Sequence, residues 1–226
     1  MILSTKINSK ILKVFTILIL AAASISSNAN ERDDKYFEAI PMSSSVSENE
    51  EIRVYYFFNS NCPSCKKFSP ELEVWQSKMK GKVEMISVPF APYASWEWSS
   101  KAYLGGLELK PELTRKELEK SQDKLGIEQV TDLLKAADVL SVATGEKRGK
   151  IMTVLTMEKM NQSFKKTQES ASSFGVLGTP SIVVVGRNMA YRVSPEFGLT
   201  HKGMLNITEA LIEYQNSLKK ANKTRE

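Results

Sequence analysis

The residues with the clearest chemical capacity are Cys62 and Cys65, the only two cysteines in a chain of 226 residues. They stand as Cys62-Pro63-Ser64-Cys65, directly after the apolar run Val54-Tyr55-Tyr56-Phe57-Phe58. Two thiols three positions apart fit within one helical turn and can interconvert between dithiol and disulfide. If a helix opens at this point, its unpaired N–H groups and positive dipole end stabilise the first sulfur as a thiolate. Cys62 is then the exposed nucleophile and Cys65 the resolving partner. Pro63 suits a first helical position, where a missing N–H costs little. The Ser64 hydroxyl either donates to the Cys62 sulfur or faces solvent.

Other uses of the pair are weaker. A tetrahedral zinc site needs two further ligands, and His201 is the only histidine, in the segment Thr200-His201-Lys202-Gly203. That segment reads as a loop, and His201 as an incidental surface residue. No metal or organic cofactor is expected. A disulfide closing so short a loop removes little entropy from the unfolded chain, so a purely structural role is poorly supported.

Gly178-Thr179-Pro180-Ser181, just before Ile182-Val183-Val184-Val185, is the second informative motif. It reads either as a simple strand start or as a cis Thr179–Pro180 turn beside the dithiol. In the second case neighbouring backbone groups stay free for an extended peptide, with Thr179 near the cysteines.

These motifs need a scaffold. Residues 52–58 read as a strand, 62–80 as an amphipathic helix kinked at Pro70, and 83–90 as the next strand, a β–α–β order. Tyr36, Phe37 and Ile40 suit local packing or a short edge element. Helical patterns then follow at 96–104, 113–125, 127–142 and 153–174, with a break at Gly105-Gly106 and a basic turn at Lys147-Arg148-Gly149-Lys150. Strands return at 181–185 and 189–193, joined by Gly186-Arg187-Asn188 as a hairpin. A final helix covers 206–218. The expected domains are 30–93, a helical insertion at 94–160, and a returning part at 161–226.

The first 29 residues read as a signal peptide. Lys6, Lys10 and Lys13 precede a short apolar core, and Ser27-Asn28-Ala29 offers small residues for cleavage after Ala29. The apolar run is short for a membrane span of about 20 residues. Removal leaves 197 residues and lowers the net charge from +5 to +2. That balance gives no basis for nucleic-acid binding. Export into an oxidising compartment lets a disulfide persist.

Taken together, the Cys62–Cys65 pair, the Thr179-Pro180 loop, the strand Tyr55 to Phe58 and the strand end Val88-Pro89-Phe90 resemble the thioredoxin superfamily. The resemblance is closer to its DsbA-type periplasmic dithiol oxidases and covers about residues 50–220. It implies an α/β thioredoxin fold with an inserted all-helical domain. It further implies oxidation of reduced or unfolded exported proteins in the periplasm by thiol–disulfide exchange, and re-oxidation by a DsbB-type quinone-linked inner-membrane partner. A monomer is expected, because no dimerisation segment is evident in the sequence. A disulfide reductase or isomerase is the alternative activity, and a binding module with an inert disulfide the non-enzymatic one. Phe90, Tyr93, Trp96, Val176 and Leu177 are the candidate peptide-contacting residues.

The chain departs from the family pattern in two places. Where relatives commonly carry histidine between proline and the second cysteine, it has Ser64, so the Cys62 thiolate is expected to be less strongly stabilised than theirs. Six residues before Cys62, where thioredoxin-like proteins often bury an acid, it has Tyr56, a poor base at neutral pH. Glu71 and Glu73 read as ordinary helix surface charges.

Overall fold

β-Branched and aromatic side chains favour an extended, pleated chain, and Ile52–Phe58 forms an interior strand, β2. In this computed structural model, residues 36–42, 52–186 and 188–223 are described. The expected signal peptide at 1–29 and Arg187 of the expected hairpin turn lie outside them. The remaining strands are β1 (Glu38–Pro41), β3 (Val83–Pro89), β4 (Ser181–Val185) and β5 (Met189–Val193). They form one sheet in the order β1-β5-β4-β2-β3. β2 and β3 pair in parallel, from Ile52 opposite Val83 to Phe58 opposite Pro89, and the other pairs are antiparallel. The crossover between β2 and β3 is helix α1 (Pro63–Met79), as parallel neighbours require.

β2 is apolar nearly throughout because both faces of the sheet are covered. Val54, Tyr56 and Phe58 point into one core with Phe68, Leu72 and Trp75 of α1, and with Met204, Leu211 and Ile212 of α7 (His201–Lys223). Phe57 points to the other face, with Val88, Val183, Ala171 and Val176. Ala171 belongs to α6 (Glu158–Ser173), which covers that second face.

Between β3 and β4 the chain is helical: α2 (Glu97–Leu109), α3 (Arg115–Lys124), α4 (Leu133–Thr144), α5 (Arg148–Thr156), then α6. Several local expectations are corrected here. Gly105 and Gly106 do not break the chain but lie inside α2. A Cβ on Gly105 would sit 2.7 Å from Leu155 Cδ2, and one on Gly106 would sit 2.2 Å from Leu113 Cδ2, so these glycines let leucines of neighbouring segments approach the helix axis. The pattern at 127–142 yields a helix only from Leu133, because the Asp132 side chain accepts from the Lys135 N–H and caps it. The single helix at 153–174 is two, parted at Met157. Arg148 starts α5 and does not sit in a turn. The last helix starts at His201, five residues before the expected start at Asn206. α1 contains Pro70 and continues past it to Met79. Residue 160, the expected end of the insertion, falls within α6.

Phe58 ends β2 edge-on to Tyr103 of α2, with ring centroids 4.9 Å apart. The next three residues, Asn59, Ser60 and Asn61, are all buried. They are the polar hinge between the sheet and the helical segment, and their bonds position the dithiol.

Candidate active site

A buried polar group must find partners, and the loop before Cys62 is held by such partners. Asn59 Nδ2 donates to the Phe90 carbonyl at 2.9 Å and to Ser100 Oγ at 3.0 Å. Ser60 and Ser99 share a 2.6 Å hydroxyl contact. Asn61 grips the backbone of Val130 in both senses, accepting from its N–H at 2.8 Å and donating to its carbonyl at 3.1 Å. Three neighbouring side chains thus fix the loop against β3, α2 and the segment before α4. Sequence reading passed over them because Asn-Ser-Asn looks like an ordinary exposed turn; only their burial shows their role.

Cys62 is the N-cap of α1, with Pro63 in its first turn and Cys65 facing the core. The Cys65 N–H donates to Cys62 Sγ at 3.2 Å. Cys62 Sγ also lies 3.4 Å from the carbonyl oxygen of Thr179, and the Thr179–Pro180 peptide is cis. The fold therefore brings together two motifs 117 residues apart. Both cysteines are present as free thiols.

The electrostatics separate the two sulfurs. A hydrogen bond from the Cys65 thiol, followed by the Thr179 hydroxyl and the backbone N–H groups of Cys65 and Ser64, brings Cys62 down from the usual 9.0 to about 6, against the opposing effect of burial. Burial raises Cys65 well above 9.0, and its bond to Cys62 adds to that. The pair thus divides into an outer thiolate and an inner thiol. We expect the reduced protein to show a thiolate absorbance step with a midpoint near pH 6, and alkylation of one cysteine, Cys62, to follow the same curve. A midpoint above 8 would contradict the geometry. Between pH 6 and 9 the unfolded chain retains a proton that the folded chain has lost. The Cys62 contribution to stability of the reduced form therefore grows as pH rises through that window, and disappears as pH falls through about 6.

The expectation of an open Cys62 is corrected. The residue is only 3 % exposed and Cys65 is 0 % exposed, because the Thr179 carbonyl and the first turn of α1 crowd the outer sulfur. Cys62 is the outer of the two, but a partner reaches it through a narrow approach. Ser64 neither donates to Cys62 nor faces solvent freely: its hydroxyl lies 3.0 Å from His201 Nε2. His201 is accordingly no incidental loop residue. It is the first residue of α7, half-buried, and stacks on Phe68 with centroids 4.8 Å apart.

Tyr56 lies fully inside the core, edge-on to Phe68. Burial, and next the Cys65 sulfur, push its phenol well above its ordinary value, while the Arg115 guanidinium opposes this from 4.7 Å above the ring. The phenol therefore stays protonated at neutral pH. Arg115, itself buried, also lies over Phe58 and was not singled out in the sequence.

The candidate peptide-contacting residues divide. Leu177 and Tyr93 are strongly exposed, and Tyr93 meets Trp96 edge-on at 5.2 Å. Trp96 and Phe90 are half-buried against the two cores. Val176 is a correction: its side chain is buried beside Phe57 and so closed to a peptide, and its N–H is bonded to the Ala171 carbonyl at 2.9 Å. Alternation of the chain leaves its neighbour Leu177 facing outward. Among the described residues, no three His, Cys, Asp or Glu side chains gather into a metal-binding group.

The family model described as thioredoxin matches residues 47–197. The thiol:disulfide interchange protein DsbA of Burkholderia cepacia is 23 % identical over 201 residues, covering 86 % of this chain and 89 % of that protein. The crystal structure of Pseudomonas aeruginosa DsbA superposes with a TM-score of 0.65 at 21 % identity, covering 81 % of this chain and 94 % of that one. Xylella fastidiosa DsbA gives 0.64 at 21 % identity, over 80 % and 96 %. With its sheet interrupted by helices and its dithiol at the head of α1, the chain belongs to the thioredoxin family and shares its fold with the DsbA structures.

Proposed function

We propose that the protein is a periplasmic dithiol oxidase that introduces disulfides into reduced, exported proteins by exchange at Cys62 and Cys65. The observation that carries this reading is the asymmetry of the two thiols. At pH 7, lowering Cys62 from 9.0 to about 6 stabilises the reduced pair about tenfold relative to its disulfide. For a two-electron couple that is about 30 mV in the oxidising direction. A reduced form made comfortable in this way is what lets a disulfide accept electrons.

In the cycle, a client thiolate attacks Cys62 Sγ of the disulfide, forming a mixed disulfide and releasing Cys65 as a thiolate, which takes up a proton. A second client thiolate then attacks the client sulfur of the mixed bond. The client leaves oxidised, and Cys62 and Cys65 hold the two electrons. Thr179 supports the substrate step by position: its carbonyl lies beside Cys62 at the cis-Pro180 turn, where neighbouring backbone groups can pair with an extended peptide. Tyr93, Trp96 and Leu177 supply apolar contact, and the half-buried Phe90 adds to it. Re-oxidation falls to a DsbB-type quinone-linked membrane partner, and the enzyme works as a monomer. Periplasmic location is supported by the sequence signal at 1–29 with cleavage after Ala29, and by the DsbA relatives.

The test is Cys65→Ser in cells exporting the protein. Without its internal thiol, Cys62 should accumulate as mixed disulfides with exported proteins, visible on non-reducing gels and identifiable by mass spectrometry. The wild-type pair should stand oxidised in the same cells. A pair held mainly reduced would place the protein among reductases or isomerases, and absence of adducts would remove the exchange reading.

A further inference from the structure

The chain's only histidine meets the short segment between its two cysteines. His201 comes from α7, 137 residues beyond Ser64, yet its Nε2 lies 3.0 Å from Ser64 Oγ. Either the hydroxyl donates to the bare nitrogen or the ring N–H donates to the hydroxyl oxygen. The ring is held in place from its face by Phe68, one turn further along α1, at 4.8 Å and 28° between planes. Phe68 is itself fully buried against Tyr56. The imidazole is thus locked by packing and has one directed polar contact, with the residue that separates the cysteines.

That contact bears on Cys62 through the backbone. Ser64 and Cys65 both present N–H groups to the Cys62 sulfur, the second at 3.2 Å. Both lie in the first turn of α1, whose N–H groups have no intrahelical acceptors. A first turn frays unless side chains restrain it, and it has no acidic residue and no other side-chain cap. We propose that His201 is a positioning residue for the redox pair: it holds Ser64 so that the first turn of α1 keeps its N–H groups on the Cys62 sulfur, and thereby sets the poise between dithiol and disulfide. The inference rests on the exchange reading of Cys62 and Cys65 and adds a residue from the opposite end of the chain to that site.

The equilibrium with glutathione reads this directly. Two glutathione thiols reduce the Cys62–Cys65 disulfide, giving the protein dithiol and one glutathione disulfide, with two electrons and two protons passing to the protein. Losing the hold on Ser64 destabilises the thiolate-bearing reduced form. On the scale of one hydrogen bond, His201→Phe should move the equilibrium constant about threefold or more toward oxidised protein. Phenylalanine keeps the stack on Phe68, so this variant separates the polar contact from packing; His201→Ala should give at least the same shift. In a Ser64→Ala background, His201→Phe should add nothing. A wild-type equilibrium in His201→Phe, or the same shift with and without Ser64, overturns the proposal. The oxidase reading fails by a different result: wild-type protein that equilibrates with glutathione but leaves reduced polypeptides unoxidised.

Discussion

Cys62→Ser should abolish oxidation of reduced polypeptides, a loss on the order of 10^3-fold or more, the scale on which removal of an enzyme's nucleophile acts. The serine oxygen forms no disulfide and holds no charge at neutral pH, so neither the mixed bond nor the stabilised reduced state exists. The fold should survive. Cys62 and Cys65 are free thiols here, and the loop before them is fixed by Asn59, Ser60 and Asn61 without help from either sulfur. Loss of turnover in a protein that still unfolds cooperatively is therefore the expected pair of results, with the reduced-form midpoint lowered at pH 7 by the Cys62 contribution and returning toward wild type below about pH 6. Retained oxidation of a reduced client by Cys62→Ser would leave a binding module with an idle disulfide.

Phe68→Ala should cost about 3–5 kcal/mol of stability, the range for deleting a buried ring from a packed core. Phe68 has no exposed surface and lies 5.9 Å from the Tyr56 ring and 4.8 Å from His201. Its removal opens a cavity between β2, α1 and the start of α7, which cannot collapse without moving all three. Urea unfolding measures it. Phe68→Leu, which conserves most of the apolar volume, should cost less than about 1.5 kcal/mol. If alanine costs under 1 kcal/mol, the ring does not bind these elements together. The alanine variant should also loosen His201, so its glutathione equilibrium should move in the same direction as that of His201→Phe.

Reading the residues in order found what local pattern controls. The apolar run at 52–58, the dithiol at a strand–helix junction, the Thr179-Pro180 loop and the strands at 181–185 and 189–193 each declare themselves within about ten residues, because strand alternation, proline and cysteine chemistry act at short range. Two of the errors have their source in long-range packing. Gly105 and Gly106 look like a break until Leu155 and Leu113 close on them. Val176 looks available until Phe57 and Ala171 enclose it.

The sequence by itself determined that this chain carries one redox-capable pair on a β–α–β frame, since composition and spacing leave little else for two cysteines to do. Tertiary structure chose between the two readings of the Thr179-Pro180 motif, placing it 117 residues on against Cys62, and alone brought His201 to Ser64 from 137 residues away. No periodicity encodes such meetings. They follow from how the sheet order places β4 beside β2 and how α7 packs beside α1, where burial and hydrogen bonding, and not local propensity, set the chemistry of a sulfur atom.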